Sequence, residues 1–131
     1  MGDTSVRQIM TSPVVTIRPD DPITDAAQAM QDAGIGSLVI VDDDNGPQGI
    51  LTRTDFVRLA ADETLLTGSD VPTVRAVMET DVVTVTPDEP LETAVETMRE
   101  RTFHHLPVVN ESGEVVGVVT TTDLADTSVA L

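Results

Sequence analysis

The chain has 131 residues, enough for one compact domain and too few for two large ones. It carries 23 acidic residues against seven basic ones, all arginine, for a formal net charge of −16. That field repels nucleic acid, whose binding needs a basic face, and the lack of cysteine excludes disulfides and thiolate metal sites.

Phe56 and Phe103 are the only aromatic residues, so the core must be aliphatic. No apolar run approaches the roughly 20 residues that span a bilayer. The first residues, Met1-Gly2-Asp3-Thr4-Ser5, lack the basic and apolar regions of a secretory signal. A cytoplasmic location without membrane contact is the expectation. The absence of lysine at this acidity resembles the proteins of salt-in halophiles and implies a halophilic archaeal source. High net charge keeps such proteins soluble and destabilises the compact state by self-repulsion, which salt relieves.

Residues 6–55 align with residues 74–123 without a gap, at a constant offset of 68. In each repeat a short apolar segment comes first, Val14 to Ile17 and Val82 to Val85. Prolines at 19–22 and 87–90 mark a turn, and Pro22 and Pro90 are predicted as first helical residues, where a missing N–H costs nothing. Asp21 is predicted to cap the first helix, and Gly34 to end it. Ile23, Ala26, Ala27 and Met30 form an apolar stripe at helical spacing, as do Leu91, Ala94, Val95 and Met98. Strands follow at Ser37 to Val41 and Leu106 to Val109, short and β-branched as suits burial on both faces. Asp42-Asp43-Asp44-Asn45-Gly46 and Asn110-Glu111-Ser112-Gly113 read as hairpin turns. The acidic run at 42–44 lacks the spaced oxygens and distal Glu of a calcium loop. Second strands return at Gln48 to Leu51 and Val115 to Val119. Second helices begin near Thr52 and Thr120, and residues 126–131 are expected to fray.

One repeat offers a small sheet and two helices, too little to bury both faces. The expected fold class is α/β, with two pseudo-twofold-related motifs, each a small β-sheet packed with two helices. Residues 1–131 form one module, with motif 1 at 6–57, a connecting segment at 58–73 and motif 2 at 74–125. The stripes Ile23/Ala27/Met30 and Leu91/Val95/Met98 exceed what one thin sheet covers, which points to a homodimer.

Gly49-Ile50-Leu51-Thr52-Arg53-Thr54-Asp55 and Gly117-Val118-Val119-Thr120-Thr121-Thr122-Asp123 resemble the Gly-x-aliphatic-Thr-x-x-Asp signature that ends a CBS motif. Met10 to Ile17 and Met78 to Val85 resemble its opening, and Phe103 to Val109 its second strand. The resemblance to a tandem CBS pair, or Bateman module, covers nearly the whole chain. It implies a cleft between the motifs that binds AMP, ADP, ATP or S-adenosylmethionine as a regulator, with no catalytic cofactor, and dimerisation into a disc. Repeat 1 has Gly34-Ile35-Gly36-Ser37 where repeat 2 has Thr102-Phe103-His104-His105, so the clefts are not equivalent.

Thr52 with Asp55, and Thr120 with Asp123, admit two readings. Thr-x-x-Asp at a helix start is a capping box. Equally, a carboxylate accepts hydrogen bonds from both hydroxyls of a ribose, and a helix N-terminus receives a phosphate; the resemblance favours the ligand role. Arg53 suits a phosphate, and Thr121 in its place suits a less anionic ligand such as S-adenosylmethionine. The resemblance adds Thr16, Ile17, Gly36, Thr84, Val85, His104, His105 and Pro107 to the ligand-binding set. Adjacent His104 and His105 point to opposite strand faces and do not make a metal site. No nucleophile, base and orienter fall together, so an enzyme is not expected. The alternative to a ligand sensor is a scaffold module with vestigial, empty clefts, and the regulated partner is not named by the sequence.

Overall fold

A computed structural model of the chain describes residues 4–12, 14–62, 71–101 and 103–125. The expected fraying at 126–131 and the middle of the connecting segment lie outside those residues. In chain order the elements are α1 (Val6–Ile9), β1 (Thr16–Ile17), α2 (Ile23–Ala33), β2 (Ser37–Val41), β3 (Pro47–Thr52) and α3 (Arg53–Ala61). They continue with α4 (Val74–Val77), α5 (Leu91–Arg101), β4 (His105–Val109), β5 (Val115–Thr120) and α6 (Thr121–Ala125).

The chain folds into two compact units, and these are not the two repeats. One comprises Val15–Asp81; the other combines Met1–Val14 with Val82–Leu131. Each unit thus takes its opening helix from the other repeat. In the second unit the Val6 N–H donates to Glu89 O (3.0 Å), and in the first the Val74 N–H donates to Asp21 O (2.8 Å). Both valines are fully buried, which stabilises each exchanged helix by about 1.5–3 kcal/mol. The chain then pairs with the second long strand of its host unit. Thr11 bridges Val118, and Glu79 bridges Ile50.

That crossing explains the glycine of each signature. A Cβ on Gly49 would stand 2.8 Å from Glu79 O and 2.9 Å from Met78 Sδ. One on Gly117 would stand 2.7 Å from Met10 Sδ and 3.0 Å from Thr11 O. Only glycine admits the exchanged segment at that distance.

Unit Val15–Asp81 holds a three-stranded sheet in the order β1-β2-β3. β1 runs parallel to β2, with Thr16 opposite Val39, and β2 is antiparallel to β3, with Ser37 opposite Thr52. In the other unit β4 and β5 are antiparallel, with His105 opposite Thr120, and Val85 bridges Val108 in parallel. Even the register break repeats, after Ile40 and after Val108. Asp42 holds one hairpin by accepting the N–H groups of Asp44 (2.9 Å) and Gly46 (2.8 Å), and Asn110 holds the other through Ser112 and Glu114 (3.0 Å each). The left-handed positions are Asn45 and its counterpart Gly113. The acidic run is therefore a turn with a structural member, Asp42, and two exposed ones.

Three expectations are corrected. Pro22 is the N-cap of α2, not its first residue: its ψ of 146° is extended. The helix begins at Ile23, whose N–H donates to Pro72 O at 2.9 Å, and α5 likewise begins at Leu91 rather than Pro90, with the Leu91 N–H on Thr4 O at 2.9 Å. Asp21 does not cap α2; its carboxylate accepts the Arg18 N–H (3.0 Å) and closes the turn. The apolar stripes are mostly covered. Ile23, Met30, Leu91, Val95 and Met98 are 6% exposed or less and share a core with the buried valine of the exchanged helix, whereas Ala27 is exposed. Gly34, with φ 65°, ends α2 in the left-handed conformation as predicted.

Candidate functional site

Each unit builds the same junction, where a strand runs into a helix N-terminus. In unit Val15–Asp81, Ser37 pairs with Thr52, and the Arg53 N–H donates to Gly36 O at 3.3 Å. In the other, His105 pairs with Thr120, and the Thr121 N–H donates to His104 O at 3.1 Å. The sheet therefore gathers Gly36, Thr52, Arg53 and Asp55 in one place, and His104, His105, Thr120, Thr121 and Asp123 in the other.

Both capping boxes are made. Asp55 Oδ2 accepts the Thr52 N–H (2.8 Å) and its hydroxyl (3.2 Å). Asp123 Oδ2 accepts the Thr120 N–H (2.9 Å), and the Asp123 N–H donates to Thr120 Oγ1 (3.2 Å). A carboxylate offers about four lone-pair positions, so the box occupies Oδ2 and leaves Oδ1 for another partner. Capping and ligand binding are compatible roles for these acids.

The Oδ1 atoms have different neighbours. Thr11 Oγ1 lies 3.3 Å from Asp123 Oδ1. Glu79, which aligns with Thr11, brings a carboxyl group into the neighbourhood of Asp55. Arg58 Nη1 stands 3.7 Å from Asp55 Oδ1. Glu79 is exposed as a residue, yet its carboxyl is partly shielded; this desolvation raises its pKa above the usual carboxylate range. The hydrogen bond to Asp55 and the charge of Asp55 push the same way, and the charge of Arg58 opposes them. Asp55 is 2% exposed, the single buried charged residue among those described, whereas Asp123 is half-buried.

Arg53 has no carboxylate partner among the described residues, in a chain with 23 acids and seven bases. Its guanidinium lies where a Cβ on Gly36 would be, 2.6 Å from Nη1. The absent side chain at Gly36 makes that room. Beside it an open groove of about 330 Å³ runs between α2 and α3, lined by Ala27, Met30, Ile35, Arg53 and Phe56 among others. The other unit carries the larger, buried Val95 at the position of Ala27.

The remaining sequence candidates stand apart from these junctions. Thr16 and Ile17 are half-buried and pair with Val39 and Ile40, two and three residues along β2 from Ser37. Thr84 is exposed. Val85 is 3% exposed and Pro107 fully buried; both are core residues, tied by the Val85 N–H to Pro107 O bond at 3.0 Å, and neither side chain faces an open surface. His104 is exposed and His105 half-buried, as opposite strand faces require. Among the described residues no group of three or more His, Asp or Glu is placed to hold a metal, and no helix is long and apolar enough to cross a membrane. Glu79 and Thr11 were not singled out by sequence reasoning. The repeat alignment pairs them, but the acids they face lie 24 and 112 positions away.

The CBS domain model matches residues 6–62 and again 74–129. An uncharacterized 17.7 kDa protein of Acidianus ambivalens is 36% identical over 93% of this chain and 71% of its own length. An uncharacterized protein of Methanopyrus kandleri, MK0525, is 32% identical over 95% of this chain, which spans 62% of that relative. Among solved structures, the CBS domain pair of protein MJ0100 in complex with 5′-methylthioadenosine and S-adenosyl-L-methionine superposes with a TM-score of 0.85, at 28% identity over 95% of each chain. With the repeated Thr-x-x-Asp junction and two family matches that together cover most of its length, the chain belongs to the CBS domain family and carries a tandem pair.

Proposed function

We propose that the chain is a regulatory module that binds an adenosine-containing ligand, with Asp55 and Asp123 each accepting ribose hydroxyls. The observation that carries this reading is the duplicated junction: in both units a carboxylate is fixed by its own capping box where a strand runs into a helix N-terminus. The ligands of the MJ0100 pair support the adenosine class. Arg53, the guanidinium with no carboxylate partner among the described residues, favours a phosphate-bearing nucleotide at the Asp55 junction. Thr121, in the place that Arg53 holds in the first, carries no charge and favours a less anionic ligand such as S-adenosylmethionine at the other.

A scaffold with empty sites is the competing function, and the burial of Asp55 is the observation that favours it. Calorimetric titration of the full chain with AMP, ATP and S-adenosylmethionine separates the two. Saturable heats support the sensor; no heat and no thermal shift with millimolar concentrations of any of them leaves the scaffold.

A cytoplasmic, salt-adapted homodimer completes the reading. The charge balance supports the salt adaptation. The groove beside Arg53, which Ala27 and Met30 of the α2 stripe line, and Val57, 68% exposed on the same helix as Arg53, support the dimer. Light scattering in molar KCl that finds only a 13.9 kDa species contradicts the dimer.

A further inference from the structure

The Asp123 carboxylate is held at both of its oxygens by the protein itself. Oδ2 accepts the Thr120 N–H at 2.9 Å, and Oδ1 accepts the hydroxyl of Thr11, whose Oγ1 lies 3.3 Å away. Thr11 is exposed, yet its backbone is pinned. It exchanges two bonds with Val118, 2.9 and 3.2 Å, and the next residue donates its hydroxyl, Ser12 Oγ, to Val116 O at 3.2 Å. A carboxylate turns easily about the bond to its methylene carbon, a broad two-fold torsion. One donor on each oxygen, from two fixed segments, stops that rotation. Each oxygen offers about two lone-pair positions, so one stays open on each, side by side. Two adjacent acceptors in a fixed plane match two adjacent hydroxyls. In the other unit the aligned residue, Glu79, has no hydroxyl to give, and Asp55 Oδ1 meets a guanidinium instead, Arg58 Nη1 at 3.7 Å.

We propose that Thr11 is a positioning residue that sets specificity: its hydroxyl orients the Asp123 carboxylate so that both oxygens grip a cis-diol, and this junction therefore selects ribose over deoxyribose. The proposal rests on the reading that Asp123 faces a ribose, and it adds what the cap alone does not supply. The capping box restrains Oδ2. With Oδ1 unrestrained, the carboxylate would have to be ordered as the ligand binds, and that cost would offset part of the second hydrogen bond. Thr11 does the ordering in the free protein, through a segment that arrives from the far end of the chain.

Adenosine and 2′-deoxyadenosine are the suitable probes, since they differ by one hydroxyl and carry no phosphate to interact with Arg53. Titration of the full chain is followed by the backbone amide resonances of Thr120 and Asp123, which report this junction. The wild type is expected to bind adenosine about ten-fold more tightly than 2′-deoxyadenosine, the worth of one hydrogen bond to a charged group. Thr11→Val keeps the size of the side chain and removes the hydroxyl; adenosine affinity falls and most of the preference for ribose is lost. Thr11→Ser returns the hydroxyl without the methyl group and restores the preference, which a role in packing alone would not do. Adenosine binding with the preference unchanged in Thr11→Val, or tighter binding in that variant, overturns the proposal and leaves the ligand reading standing. Equal affinities of the wild type for the two probes overturn it without any variant. No adenosine binding at this junction overturns both.

Discussion

The Oγ1 of Thr11 lies 3.3 Å from Oδ1 of Asp123, and the corresponding place in the other unit is filled by a carboxyl group, Glu79 against Asp55. A single replacement between otherwise matched junctions turns a neutral contact into a pair of acids. One of those acids is buried and serves a helix cap; the other sits on a segment exchanged from the opposite repeat. Stability at the first junction therefore depends on the charge the pair carries.

That dependence has a definite sign. The folded-state pKa of Glu79 lies above its unfolded value, so the pair's stabilising contribution is full below the unfolded value and is lost as pH rises through the raised one. At neutral pH the two carboxylates repel. Glu79→Gln should therefore raise stability at pH 7 by on the order of 0.5 kcal/mol, kept small because solvent screens so exposed a group. At pH 4 the same change should do almost nothing. Urea denaturation of variant and wild type at both pH values measures this, and a loss of stability at pH 7 contradicts it.

The exchanged segments make Gly49 and Gly117 sites of close approach. Gly49→Ala would push a Cβ to 2.8 Å from the backbone oxygen of Glu79, which cannot move without breaking its bonds to Ile50. A cost of about 1–3 kcal/mol is expected, the usual range for overpacking. The Gly117→Ala cost should fall at the lower end, because its shortest contact is with the flexible end of Met10. Denaturant midpoints for the two variants give the comparison, and equal, negligible shifts would contradict the crossing geometry.

The net charge of −16 predicts a salt response. The Debye length falls from about 10 Å at 0.1 M to about 3 Å at 1 M, so repulsion among surface carboxylates weakens. The melting temperature should rise between these KCl concentrations. A flat or falling curve would show that the acidity is not a salt adaptation.

Much of this was legible in the residues. The 68-residue offset predicts the matched strands, turns and left-handed positions, since these depend on local pattern: Gly34 stops a helix, and Asn45 or Gly113 turns a hairpin. The capping boxes follow from Thr-x-x-Asp spacing alone. The exchange of Val6–Ile9 and Val74–Val77 between units did not follow, because an apolar four-residue helix fits either core equally well by composition. The same ignorance made the stripes on α2 and α5 look uncovered. Val85 and Pro107 came into the ligand set through the resemblance, and their side chains are buried in the core, Val85 beside Val108. The meeting of Glu79 with Asp55 is non-local in the same way.

The central claim is that Asp123 serves a ligand as well as its cap, and Asp123→Ala tests it most directly. The variant loses one helix cap, about 1 kcal/mol of stability, a shift of a few degrees in melting temperature for a chain of this size. If the carboxylate also holds a ribose, adenosine-ligand affinity measured by calorimetry should fall about ten- to a hundred-fold, the worth of charged hydrogen bonds. A lowered melting temperature with unchanged affinity would contradict the account and leave Asp123 as a cap and nothing more.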